Sequence, residues 1–140
     1  MTAQAPATLT TRRDRGTVFV PGPLRNPLNG PHGHWSKHAR WARTWRERTH
    51  QQLWLALRGM DAADATCPKI VRFLAKTHNG VDDDNLRAML KPCRDALKDA
   101  RIIHDDAKDS GHVFVYEQMI DRGHRGVEIT WEPVPASAAG

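Results

Sequence analysis

The sequence is poor in cysteine. It has two among 140 residues, Cys67 and Cys93, too few for a disulfide framework. Neither stands in a Cys-x-x-Cys pair, so a cysteine-based zinc module is not expected either. Both read as reduced thiols in or near a core, which places the chain in a reducing cytoplasm. No apolar run approaches the roughly 20 residues that cross a bilayer. A basic start followed by an apolar stretch is also missing, so neither a membrane span nor a secretory leader is expected. There is no internal repeat. Aromatic residues make up 6% of the chain, and five of them are tryptophan against one tyrosine and three phenylalanines.

What is present is positive charge and a domain-sized apolar fraction. The formal net charge is +5, with 39% hydrophobic and 26% charged residues, and the isoelectric point is near 9.7. Such a balance suits one soluble globular domain with a polyanionic partner, nucleic acid first. The charge is unevenly spread. Residues 1–15 are rich in Thr, Ala and Arg without periodicity and read as a disordered basic arm carrying Arg12, Arg13 and Arg15. The Pro-, Ala- and Ser-containing residues 133–140 read as a flexible tail. The domain is therefore expected over 16–132.

Within it, Thr17–Val20 is a β-prone run stopped by Pro21-Gly22-Pro23, and 24–34 is a loop. Trp35–Arg58 has no Pro or Gly inside, and Gly59 follows as a stop. Trp41, Ala42, Trp45, Thr49, Leu53, Ala56 and Leu57 share one face of this helix, while Lys37, Arg40, Arg43 and Arg48 fall mostly on the other. These four cations are the candidate DNA phosphate contacts; a solvated helix face is the plainer reading. Trp41 and Trp45 belong to the core side, and Trp54 lies off that stripe. Lys69–Thr77 alternates as a strand and ends at His78-Asn79-Gly80. A second helix carries Leu86, Leu90, Cys93 and Leu97 on one stripe, with a kink or broken turn expected near Lys91 because of Pro92. His112–Ile120 and Val127–Trp131 are two further strands, with a polar Asp121–Gly126 turn that suits a hairpin. The expected fold is a small α+β domain: a mainly antiparallel or mixed sheet with two main helices packed on it.

Chemistry, if present, lies between Val81 and Asp109. Asp82, Asp83 and Asp84 stand between a strand and a helix, and Asp105-Asp106 follows that helix. Clustered carboxylates raise one another's pKa and destabilise a fold, unless a divalent cation sits among them. Mg²⁺ takes a few carboxylates and completes its octahedron with water and phosphate oxygens. So placed, it activates water and offsets charge developing on a phosphate. The plainer reading of each cluster is a helix cap or a turn. An EF-hand calcium loop is a poor match, because Arg87 and Cys93 stand where its glycine and terminal glutamate belong. The histidine pairs His32/His34 and His78/His104 lack a convincing ligand spacing and read as loop residues.

Taken in order, Asp82-Asp83-Asp84-Asn85-Leu86, Lys91, Asp95-Ala96-Leu97, Ile103 and Asp105-Asp106 resemble the signature of the RusA family of Holliday junction resolvases. That signature is Asp-x-Asp-Asn-Leu, a lysine, Asp-Ala-Leu, an apolar pair and Asp-Asp. The resemblance implies an α+β, homodimeric, Mg²⁺-dependent endonuclease (Mn²⁺ being the alternative metal) that resolves four-way DNA by paired nicks. By the same resemblance Asp82, Asp84 and Asp106 hold the metal, with Asp105 beside them and Asn85 fixing the loop. Lys91 then lies near the scissile phosphate. The chain departs from the type member there: the family's lysine comes sooner after the asparagine, and Ala88 occupies that place, as in phage-type variants. A two-fold dimer would set one site against each of two strands. The alternative reading is a non-catalytic protein that binds branched DNA.

Overall fold

The computed structural model describes residues 14–24, 35–60 and 63–135, and the side chains of 35–38 lie outside the description. The basic arm up to residue 13, the loop from 25 to 34 and the tail beyond 135 fall outside it as well. In chain order the elements are β1 (Gly16–Pro21), α1 (Trp35–Leu57), β2 (Lys69–Thr77), α2 (Asp83–Asp99), a short 3₁₀ turn (Lys108–Ser110), β3 (Val113–Ile120) and β4 (Gly126–Pro133). This is the expected α+β domain, with two helices on a four-stranded mixed sheet.

Alternation builds the sheet. In β2, Val71, Phe73 and Ala75 are fully buried while Arg72 is exposed. Val18 and Val20 in β1, and Val127, Ile129 and Trp131 in β4, repeat that period of two. Against this face lie Trp45, Thr49, Leu53 and Leu57 of α1, four residues apart and all buried. Leu86, Leu90, Cys93 and Leu97 of α2 complete the core. Ala56, expected on the apolar face of α1, is exposed.

The strand order is β1-β4-β2-β3. β2 and β3 run parallel, while β4 is antiparallel to both β1 and β2. Two expectations are corrected here. First, the Asp121–Gly126 turn does not close a hairpin: β3 and β4 are separated by β2, and residues 121–125 carry the chain across its end. Asp121 N–H donates to the Thr77 carbonyl at 3.0 Å, and Gly22 N–H to that of Arg125 at 3.0 Å, which pins this crossing. The cause is burial. β4 presents Val127, Ile129 and Trp131 to the core and takes an inner slot with partners on both sides, whereas β3 is the outer, parallel return of the β2–α2 crossover. Second, α2 runs through Pro92 without interruption. The ring is buried, and its packing offsets part of the lost backbone bond.

Candidate functional site

β2 is central, and its C-terminal end delivers Val81 and Asp82 to the start of α2. The Gln118 amide of β3 clamps that junction from both sides. Its Nε2 donates to the Val81 carbonyl at 2.5 Å, and Val81 N–H donates to its Oε1 at 2.9 Å. Asp82 occupies the N-cap position, yet its side chain makes no capping bond. It accepts instead from the Asn85 Nδ2 amide, while the Asn85 Oδ1 oxygen is buried without a hydrogen-bond partner. Asp83 and Asp84 fill the first helical turn, exposed, where the helix dipole favours negative charge. Asn85 thus fixes the loop, and the carboxylates of Asp82 and Asp84 face solvent.

Asp106 is differently placed. Its Oδ2 lies 2.9 Å from Arg94 Nε and its Oδ1 3.3 Å from Lys98 Nζ. Arg94 in turn donates from Nη1 to the Tyr116 hydroxyl at 2.8 Å. Burial opposes ionisation of Asp106, but the Lys98 hydrogen bond and the charges of Arg94 and Lys98 outweigh it and hold the carboxyl below its ordinary range. Asp105 accepts from the backbone N–H of Asp106 at 2.8 Å and of Ala107 at 3.3 Å, which makes it the residue that forms this turn.

The two acidic groups sit at opposite ends of the β2–α2–β3 unit. Arg94 lies about 15 Å and Lys98 about 21 Å of helical rise beyond Asp84. Val81 is tied to Gln118 near the end of β3, whereas Asp105 and Asp106 precede its start. Because β2 and β3 are parallel, the fold does not bring Asp106 back to Asp82 and Asp84 within one chain. Among the described residues, no group of three His, Cys, Asp or Glu side chains could hold a metal ion. Asp82 and Asp84 are exposed oxygen donors of the kind a water-rich Mg²⁺ takes; Asp106 is not beside them.

Lys91 points elsewhere again. It lines a hollow of about 400 Å³ between α1 and α2 together with Arg43, Arg46 and Pro92. Of the candidate phosphate contacts, Arg40 and Arg43 are exposed, and the Lys37 side chain lies outside the described residues. Arg48 is half-buried, 5.4 Å from the centre of the Trp45 ring, with Nη1 3.4 Å from the Pro21 carbonyl; its role here is packing. Trp45 is buried, Trp41 packs partly buried against the core, and Trp54 is 57% exposed.

Sequence reasoning missed Arg94, Lys98 and Gln118, which position the acids. Arg94 and Lys98 stand four apart on α2, off its apolar stripe, a pattern that signals one charged face but names no partner. The histidines were also paired differently in sequence: His104 Nδ1 lies 3.1 Å from His112 Nε2 rather than facing His78, and His32 and His34 lie outside the described residues. Comparison with protein-family models and with curated protein sequences finds no match for this chain.

Proposed function

We propose that the protein is a metal-dependent endonuclease that cuts four-way branched DNA, as its resemblance to the RusA family suggests. The observation that carries the reading is the pair Asp82 and Asp84. Asp82 stands at the mouth of a central strand, its carboxylate bonded by Asn85 and not used as a helix cap, with the preceding Val81 clamped by Gln118, and Asp84 is exposed in the first turn of α2. Around the pair is a chain of net charge +5, whose exposed Arg40 and Arg43 suit phosphate contacts.

Bound between these carboxylates and a scissile phosphate, Mg²⁺ would supply an activated water and charge neutralisation. Asp82 and Asp84 would hold that ion, and the Asn85 amide fixes the Asp82 carboxylate over the first turn of α2. Lys91 lines the α1–α2 hollow rather than facing these acids, and there it offers positive charge to the DNA backbone.

A two-fold dimer answers the separation of Asp106. β3 is an edge strand, unpaired on its outer side among the described residues, with Val113, Met119 and Ile120 each about half exposed. A second copy paired antiparallel along this edge brings its β3 start, with Asp106, beside the first copy's β3 end, with Asp82 and Asp84. The acidic start of α2 then also faces the basic Arg94 and Lys98 of the other copy. Two equivalent sites result, as paired nicking of a symmetric junction requires.

One observation favours the second reading, a structure-selective DNA binder without catalysis: Asp106 is already neutralised by Arg94 and Lys98. The deciding experiment is cleavage of an end-labelled synthetic four-way junction in Mg²⁺ and in Mn²⁺ by the wild type and by Asp82→Asn and Asp106→Asn. Paired nicks are expected from the wild type only, with junction binding kept by the variants. Binding without nicks by all three proteins leaves the non-catalytic reading.

A further inference from the structure

We propose that the groove between α1 and α2 is a track for an unpaired DNA strand, with Trp54 as the platform on which a base stacks. This rests on the nucleic-acid part of the reading above and is independent of the acids. Three hollows run end to end. The one beside Lys91, of about 400 Å³, shares Arg43 and Arg46 with a second of about 680 Å³. Trp54 and Asp99 carry that second hollow into a third of about 190 Å³ that reaches Arg101. From Ala39 to Leu57, α1 rises about 27 Å along the groove, and strand-binding sites of this kind take about four or more nucleotides.

Trp54 marks the groove as a binding surface. It is 57% exposed, while Trp45 on the same helix is 2% exposed. The Arg58 guanidinium stands over its ring, 5.8 Å from the centre. An aromatic ring flanked by a guanidinium suits a base and its phosphate together, and stacking accepts any base. The groove is also built in advance. Arg46 of α1 donates two hydrogen bonds, at 2.6 and 2.7 Å, to the Asp99 carboxylate at the end of α2. A preformed wall lowers the ordering cost of binding.

Charge selects the occupant. Of the groove acids, Asp99 is paired with Arg46 at 2.6 Å, and Asp95 stands 3.6 Å from Lys98, which Asp106 shares. Among the described residues Arg43, Lys91 and Arg101 have no ion pair, against one unpaired acid, Glu47. The remainder is positive, which suits a polyanion and disfavours a second copy of a chain of net charge +5.

The test is fluorescence anisotropy of a dye-labelled oligothymidylate, and of a duplex of equal length, titrated with the full chain and with Trp54→Ala and Trp54→Phe. Trp54 is exposed, so both variants are expected to fold, checked by thermal melting. Trp54→Ala should weaken single-strand binding by about tenfold or more, Trp54→Phe should retain most of it, and duplex binding should be nearly unchanged. Equal single-strand affinity of the wild type and Trp54→Ala overturns the proposal. So does a Trp54→Ala change in sedimentation with strand affinity intact, since the groove is then an interface between copies. Junction nicking by the same proteins separates the two readings. Trp54-dependent strand binding without nicks loses the nuclease alone, and nicking with a silent Trp54→Ala loses this groove alone.

Discussion

Lys69 is the first residue of β2 and is fully buried. Its ammonium donates to the carbonyls of Asp64 at 2.5 Å and Cys67 at 3.2 Å and stands 3.5 Å from Asp14. A buried cation so partnered is costly to delete, because carbonyls and a carboxylate lose their donor. Lys69→Met is expected to cost about 3 kcal/mol, read from urea unfolding midpoints. Beside it, His112 Nδ1 accepts from Lys69 N–H at 3.1 Å. Burial, then the charges of His104 and Lys69, hold its imidazole below the ordinary 6.5, against smaller opposing contributions from the Ala65 carbonyl and Asp105. Its neutral form is therefore favoured in the folded state. The contribution is full above about pH 6.5 and is lost as pH falls below that value, since the unfolded chain takes up the proton first. Stability should fall as pH drops through about 6.5, and His112→Gln should flatten that slope.

At the scale of elements, α2 carries the acids, the core stripe and Pro92 together. Proline inside a helix costs about 3 kcal/mol through its missing donor and its clash with the preceding turn. Burial of about two ring methylenes returns about 1.6 kcal/mol. Pro92→Ala should therefore stabilise the chain by about 1 kcal/mol, seen as a higher urea midpoint. A destabilised variant would mean that the ring's packing dominates. The opposite holds at the entry to β4. A Cβ on Gly126 would collide with the Val20 carbonyl and stand 2.7 Å from the Phe19 ring. Gly126→Ala is expected to cost about 2 kcal/mol, within the range for overpacking, by the same measurement.

For the whole molecule the question is whether one site draws on two copies. Asp82→Asn/Asp84→Asn and Asp106→Asn should each abolish nicking when pure. Mixed and allowed to exchange, they form heterodimers in which one site has all its acids intact. Nicking should return, as single rather than paired cuts. Mixtures that stay inactive while sedimentation shows dimers would sink the shared site. Were the acids to act within one chain, neither partner could supply an intact set.

Most elements were legible from local pattern. Lys69–Thr77 is bounded as its alternation says, because period-two burial and the stop at His78-Asn79-Gly80 are local signals. The α2 stripe of Leu86, Leu90, Cys93 and Leu97 is buried as its 3.6-residue spacing demands, and Trp45 to Leu57 likewise in α1. The candidate acids were legible as residue types in order. Their distances were not. Strand order, the crossing of residues 121–125 over β2 and the separation of Asp106 from Asp84 depend on pairings between segments far apart in sequence. Such pairings are settled by which faces the whole core buries, not by any one segment's preference. The partners of Asp106 are likewise a tertiary outcome: Arg94 and Lys98 meet it because the chain after α2 folds back along the helix. The sequence by itself determined the elements, their apolar faces and the chemistry available. Only the tertiary structure decided which of those groups stand together, since a parallel β2–α2–β3 unit puts its two turns at opposite ends of the sheet.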